Sequence, residues 1–279
     1  MIFIGEIGIN HNGNISTALE LIRKAKECGV DVVKFQKRNP DLCVPEEQKN
    51  QERVFRGKSM TYLEYKYLLE FGKEEYDQIN EYCRSLGIQW TASVWDVDSV
   101  EFMRNYRDNI PFIKIPSACI TDLTLLGKVN ELDIPVIISN GMSTQEEVDV
   151  AVRVLKNLQG ILHCNSSYPA AIEEVDLNVL ASYRQLYPSI QIGYSGHEVG
   201  TLPTLAAAIL GADIIERHIT LDKNMEGTDH KASLDMTELS NLMTDMKKVP
   251  LILGATELKL YPTEIPIRKK LRRVNNVYT

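Results

Sequence analysis

The chain has 279 residues, a net charge of −7, 44% hydrophobic and 25% charged residues, an ordinary balance for a soluble globular protein with no sign of disorder. The acidic excess argues against bulk attraction to nucleic acid or an anionic membrane surface, so an anionic ligand must be met by specific groups. The five cysteines are odd in number and include no C-x-x-C pair, which points to reduced thiols in a cytoplasm.

The N-terminal stretch MIFIGEIGIN opens on an apolar run without a basic n-region and turns polar after a few positions. It reads as a first strand over 2–8, neither a signal peptide nor a membrane span. Further β-branched runs follow at 31–36, 88–95, 112–118, 136–141, 160–166, 190–196 and 213–220. Between and after them lie amphipathic stretches of helical period, among them 15–29, 144–158, 202–212 and 236–249. Eight βα repeats of this kind predict an α/β protein, a (β/α)8 TIM barrel over residues 1–254. A doubly wound open sheet has the same alternation, but its G-x-G-x-x-G fingerprint does not follow the first strand. The insertion 38–62 is too long and polar for a simple βα turn and is a candidate lid. Residues 255–279, with two prolines and a basic cluster at 268–273, read as a tail or linker.

If the runs are barrel strands, their C-terminal ends gather a polar set at one face, where this fold carries its chemistry. The set holds Glu6, Lys34, Gln36, Thr91, Ser93, Lys114, Ser117, Ser139, Asn140, Asn165, Ser166, Tyr168, Ser195, His197, Glu216 and His218. Any one hydroxyl or amide there can be a turn former; the coincidence over eight strands favours a site. Two imidazoles from successive strands can hold a divalent cation and leave positions open, or serve as ordinary core histidines. Lys34 and Lys114 can receive a phosphate or carboxylate, or pair with Glu6 and Glu216. Glu6 is placed for general acid or base work. The stretch INHNGN (9–14) reads as a tight turn, and MEGTDHKASL (225–234) as a loop that brings Asp229 and His230 over the same face.

The motifs EIGINHNG, VVKFQK, HCNSSYP, GYSGHEVG, ERHITLD and GTDHKASL, in this order, resemble the catalytic barrel of the sialic acid synthase (N-acetylneuraminate synthase) family, and are closer in form to its animal-type members. The resemblance covers about residues 2–250. It implies condensation of phosphoenolpyruvate with an N-acetylmannosamine-type sugar or its 6-phosphate, giving a nine-carbon 2-keto acid and phosphate. It implies a divalent cation, Mn2+ first with Mg2+ or Co2+ as alternatives, on His197 and His218. By the same resemblance Glu6 handles the proton transfers, Lys34, Ser93, Lys114, Ser117, Ser139, Ser166 and Ser195 line the phosphoenolpyruvate site, and Gln36, Tyr168 and Asp229 face the sugar. It further implies a cytoplasmic homodimer without nucleic-acid or membrane partners.

Three features depart from the family pattern. Pro116 and Ala118 stand where many members have glycines, Gly196 stands where many bacterial members have an aspartate, and the C-terminal antifreeze-like domain of typical members is expected to be absent. A synthase for a related legionaminic, pseudaminic or deaminated sialic acid is the neighbouring expectation. A barrel that lost turnover with its cap is the expectation from a different class; the joint presence of Glu6, His197 and His218 weighs against it.

Overall fold

The computed structural model describes residues 1–274. Its strands are β1 (Ile2–Gly8), β2 (Val32–Lys37), β3 (Glu52–Phe55), β4 (Lys58–Thr61), β5 (Gln89–Val94), β6 (Ile113–Ile115), β7 (Val136–Ser139), β8 (Leu158–Cys164), β9 (Gln191–Gly196) and β10 (Ile214–His218). Eight of them close a parallel barrel in the order β1, β2, β5, β6, β7, β8, β9, β10, and β10 returns to pair with β1. β3 and β4 form a separate antiparallel hairpin inside the second βα connection. The chain is therefore a (β/α)8 barrel, and each run read as a strand lies in it.

Local chemistry sets the ends of the elements. Asn14 accepts a hydrogen bond from the Thr17 N–H to open the helix Ile15–Cys28, and Gly29, at φ 90°, closes it. The expected helix 144–158 is shorter, Gln145–Val154, because the backbone turns extended at Leu155 and β8 already begins at Leu158. The expected strand 112–118 stops at Ile115, since Pro116 has no N–H for the ladder. Ser117 thus sits in a one-turn 3-10 helix beyond the strand. The helix expected over 236–249 ends at Met246, and Pro250 starts a separate short helix, Val249–Leu253.

The two faces of each strand meet different surroundings, and this positions the site. Ile4, Val32, Phe112, Ile137, Leu162 and Ile214 pack into one apolar plug inside the barrel. Phe3, Val33, Ile138, Ile161 and Ile215, from the opposite face, join the larger core beneath the helices. Two residues beyond the plug, about 6.6 Å along each strand, the same inner face presents Glu6, Lys34, Lys114, Ser139, Cys164 and Glu216. β10 shows the alternation most sharply. Glu216 and His218 point into the barrel mouth, whereas Arg217 points outward and is fully buried. Its guanidinium meets Glu198 Oε1 at 2.8 Å, Thr204 Oγ1 at 2.6 Å and the Gly200 carbonyl at 2.9 Å.

The insertion 38–62 holds two short helices, Pro40–Cys43 and Glu46–Lys49, and the β3–β4 hairpin. The hairpin tip is docked, with the Arg56 N–H donating to Glu226 Oε2 at 2.7 Å, while Phe55 packs with Tyr65 and Leu69. The candidate lid is therefore an ordered wall beside the mouth. In the tail, Ile265–Leu271 is an exposed short helix carrying Arg268, Lys269 and Lys270; residues 275–279 lie outside the described residues. No helix among the described residues is long and apolar enough to cross a membrane.

Candidate active site

A cavity of about 140 Å3 opens at the C-terminal ends of the barrel strands. All the residues that the family resemblance assigns to the site line it except Asp229. At its floor four buried charges alternate. Lys34 Nζ lies 2.8 Å from Glu6 Oε2 and 3.7 Å from Glu216 Oε1, and donates to Ser93 Oγ at 2.7 Å. Lys114 Nζ lies 3.5 Å from Glu216 Oε2 and donates to Ser139 Oγ at 2.6 Å. Ser195 donates to Glu216 Oε1 at 3.0 Å. The lysines thus pair with Glu6 and Glu216, the second of the two sequence readings, and at the same time face the cavity.

The electrostatics follow from burial and these neighbours. Burial opposes the charge on Lys34, but Glu216 and Glu6 outweigh it and raise the ammonium above its ordinary value. Lys114 is lowered, chiefly by burial, with Glu216 only partly offsetting it. Glu216 is held well below the carboxylate range although burial pushes the other way, because Lys114, Lys34 and His218 surround it. Both carboxylates keep one oxygen, Glu6 Oε2 and Glu216 Oε2, buried without a well-formed hydrogen bond. A buried charge cluster of this kind carries a desolvation cost that its mutual pairing must offset.

Two glycines keep the room in which these groups stand. Gly8 has φ +53°, and a Cβ there would lie 3.0 Å from Glu6 Oε1, 3.1 Å from Gln36 Nε2 and 3.4 Å from His218 Cε1. Gln36 Nε2 itself donates to Glu6 Oε1 at 3.1 Å. A Cβ on Gly141 would come within 2.2 Å of Ser166 Oγ and 2.9 Å of Ser117 Oγ. The Gly141 N–H donates to Ser117 Oγ at 3.0 Å, so backbone, Ser117 and Ser166 build one polar corner.

His197 and His218 face each other across the mouth with ring centroids 5.5 Å apart. The Asn165 carbonyl, an acceptor only, lies 2.5 Å from His197 Nδ1, so Nδ1 carries the proton and Nε2 offers a lone pair toward the cavity. The Tyr168 hydroxyl donates to that Nε2 at 2.8 Å, and its ring stacks on His197 at 4.0 Å. Burial, helped by His218, lowers His197 to about 3, leaving it neutral. His218 Nδ1 is buried without a hydrogen-bond partner and lies 3.8 Å from Asp229 Oδ2. The neutral His197 and the orphaned His218 Nδ1 fit a divalent cation held from two imidazoles with open positions. Among the described residues no group of three or more His, Cys, Asp or Glu side chains is placed to hold one.

Some expected polar residues prove to be scaffolding. The Thr91 hydroxyl is spent on the Phe112 carbonyl. Asn140 bridges Tyr183 and the Cys164 N–H, and Asn165 acts through its backbone. INHNGN is the expected turn, with Asn12 and Gly13 at positive φ and His11 stacked on Phe71 at 4.0 Å. In the 225–234 loop, His230 is buried at 2.7 Å from Thr220 Oγ1. Asp229 stands behind His218 rather than in the cavity wall. Burial opposes its ionisation, yet His218, the Thr228 hydroxyl, Arg38 and Lys66 hold it below the usual range. Sequence reasoning missed Trp95, Met142 and Cys164 as lining residues. Cys164 was within reach, since it follows Leu162 by two on the inward face. Burial above all pushes its thiol up to about 11.

Fold and site together are those of a barrel enzyme with two buried lysines and two buried carboxylates at the floor of its mouth, beneath a pair of histidines. The chain belongs to the NeuB family, whose sequence profile matches residues 21–257. It is 39% identical over 274 residues to the N-acetylneuraminate-9-phosphate synthase of Mus musculus, spanning 96% of this chain and 75% of that protein. It is 36% identical over 281 residues to the N,N'-diacetyllegionaminic acid synthase of Legionella pneumophila, spanning 97% and 78%. Among solved structures it matches the N-acetylneuraminic acid synthetase from Leptospira borgpetersenii in complex with citrate, with a TM-score of 0.84 and 29% identity over 98% of this chain and 93% of that one.

Proposed function

We propose that this chain condenses phosphoenolpyruvate with N-acetylmannosamine or its 6-phosphate, releasing phosphate and forming a nine-carbon 2-keto sugar acid. The observation that carries this reading is the juxtaposition in one cavity of Lys34 and Lys114, among serine hydroxyls, with His197 and His218. Lys34 and Lys114, with Ser93, Ser117, Ser139, Ser166 and Ser195, receive the carboxylate and phosphate of phosphoenolpyruvate by charge-assisted hydrogen bonds. Gln36 and Tyr168 orient the sugar so that its C1 aldehyde meets C3 of phosphoenolpyruvate, with Asp229 acting from behind His218. His197 and His218 would hold a divalent cation, Mn2+ or in its place Mg2+ or Co2+, which when bound would supply a Lewis acid for the aldehyde.

After the C–C bond forms, water adds at C2 and the C2–O bond to phosphate breaks. Glu6 is the group for these proton transfers, since its carboxylate faces the cavity and is held by Lys34 and Gln36. We infer that the working form is a homodimer of the cytoplasm; sedimentation as a monomer at micromolar concentration would refute the dimer. The test of function is phosphate release from phosphoenolpyruvate with Mn2+, run with N-acetylmannosamine, with its 6-phosphate and without sugar. Release that needs a sugar and is stopped by EDTA supports the reading. Release that ignores the sugar, or none with either, rejects it.

A further inference from the structure

His197 is clasped by the segment that follows β8. Its Nδ1 proton goes to the Asn165 carbonyl. Its own carbonyl accepts from the Ala170 N–H at 3.1 Å, beside a parallel bridge between Ala170 and Glu198. Between these two ties stands Tyr168, whose hydroxyl donates to Nε2 at 2.8 Å and whose ring stacks on the imidazole at 4.0 Å. The stretch 165–170 thus holds one histidine at both ring nitrogens and at its backbone.

The three ties differ in what could compete with them. Asn165 and Ala170 act through backbone, on atoms of His197 that a ligand in the cavity does not need. The Tyr168 hydroxyl instead uses the lone pair of Nε2, the one acceptor that a neutral imidazole has, and Tyr168 and His197 line the cavity together. His218 has no such cap among the described residues. Its Nδ1 is buried without a hydrogen-bond partner, and the Tyr168 ring stands edge-on to it at 5.6 Å. The two imidazoles are therefore unequal: one has a nitrogen without a hydrogen bond, and the other has its acceptor nitrogen already engaged.

We propose that the Tyr168 hydroxyl is a displaceable cap on His197, one that must leave Nε2 before this nitrogen can serve a divalent cation. One lone pair accepts a hydroxyl proton or binds a cation, never both. The proposal rests on the synthase reading through its assignment of the cation to His197 and His218. When the hydroxyl leaves, the stacked ring and the two backbone ties still hold the imidazole in place, so the exchange is confined to one side chain. That side chain can turn toward the mouth, since 47% of Tyr168 is exposed. The hydrogen bond given up at Nε2 subtracts from the affinity of the site, as any equilibrium that hides a binding-competent form does. Removing the hydroxyl while keeping the ring should therefore tighten the cation, the opposite of what trimming a supporting residue does.

The test is Mn2+ binding to the full chain after treatment with a chelator, read from the electron paramagnetic resonance of free Mn2+, for the wild type, Tyr168→Phe and His218→Ala. Tyr168→Phe should lower the Kd for Mn2+ by about 2- to 10-fold, the worth of one neutral hydrogen bond. Mn2+ should also shift the near-ultraviolet tyrosine absorption of the wild type, because one phenol changes its hydrogen bond, and Tyr168→Phe should lack that difference spectrum. Equal or weaker Mn2+ binding by Tyr168→Phe, or a wild-type tyrosine spectrum that Mn2+ does not change, would overturn the cap and leave the metal assignment standing. A wild type that binds no Mn2+, or His218→Ala binding it as tightly as the wild type, would overturn both.

Discussion

Glu216 bridges the two pocket lysines, and its removal gives a quantitative test of how the floor of the site is held. In Glu216→Gln the shape is kept and one charge is lost. The carboxylate stands 3.5 Å from Lys114 Nζ and 3.7 Å from Lys34 Nζ. Each attraction is about 4 kcal/mol at an effective dielectric of about 20, offset by a desolvation penalty of several kcal/mol for the buried carboxylate. Deleting one member of such a cluster costs about 3–5 kcal/mol net, so the free protein should melt about 6 °C or more below the wild type. On the proposed function, phosphoenolpyruvate would bring negative charge back between the lysines, and saturating ligand should raise the variant's Tm by more than it raises that of the wild type. The pH dependence has a definite sign. Because Glu216 is held down to about 2 against an ordinary 4.5, its contribution is present above pH 4.5 and is lost as the pH falls toward 2. The gap between the two proteins in chemical denaturation should therefore be full at pH 7 and shrink below pH 4.5. Equal Tm values without ligand, or equal shifts on adding phosphoenolpyruvate, would refute the account of the charge cluster.

Other substitutions probe the remaining geometry. Gly8→Ala forces a side chain into left-handed backbone, at about 1–2 kcal/mol, and pushes on Glu6, Gln36 and His218 together; a modest fall in Tm with a fall in kcat of about tenfold or more is expected. Gly141→Ala drives a methyl group into Ser166 and Ser117, so the KM for phosphoenolpyruvate should rise about tenfold or more while the sugar KM changes little, as initial-rate kinetics will show. His218→Ala should abolish EDTA-sensitive turnover and metal retention by elemental analysis, with the circular dichroism spectrum unchanged; undiminished activity would refute the metal assignment.

The barrel was legible because β-branched runs and amphipathic stretches alternate eight times, and the inward set was legible because polar residues repeatedly follow apolar ones by two positions. Lys34 after Val32 and Glu216 after Ile214 are the clearest cases. What stayed hidden depends on closure of the barrel. β1 lies between β2 and β10 only once the ends of the sheet meet, so the placement of Glu216 between Lys34 and Lys114 cannot be read along the chain. The hairpin β3–β4 was masked by its polar composition, although Arg56 and Gly57, both at positive φ, mark its turn. Asn140 and Thr91 looked like site residues because a hydroxyl or amide that ties down a carbonyl or N–H is indistinguishable, in sequence, from one that faces a ligand.

Arg217 has a consequence of a different kind. Three ionisable residues in a row on β10 alternate between two buried surroundings, and each is fitted to its own. A slide of one position against β1 or β9 would push the guanidinium into the mouth and leave Glu198 alone beneath the helices, an error paid on both sides of the sheet. The residue that never touches the pocket therefore acts as a key that lets this strand seat in one register only. Changes to it should surface as failure to assemble the site, before any change in what the site recognises.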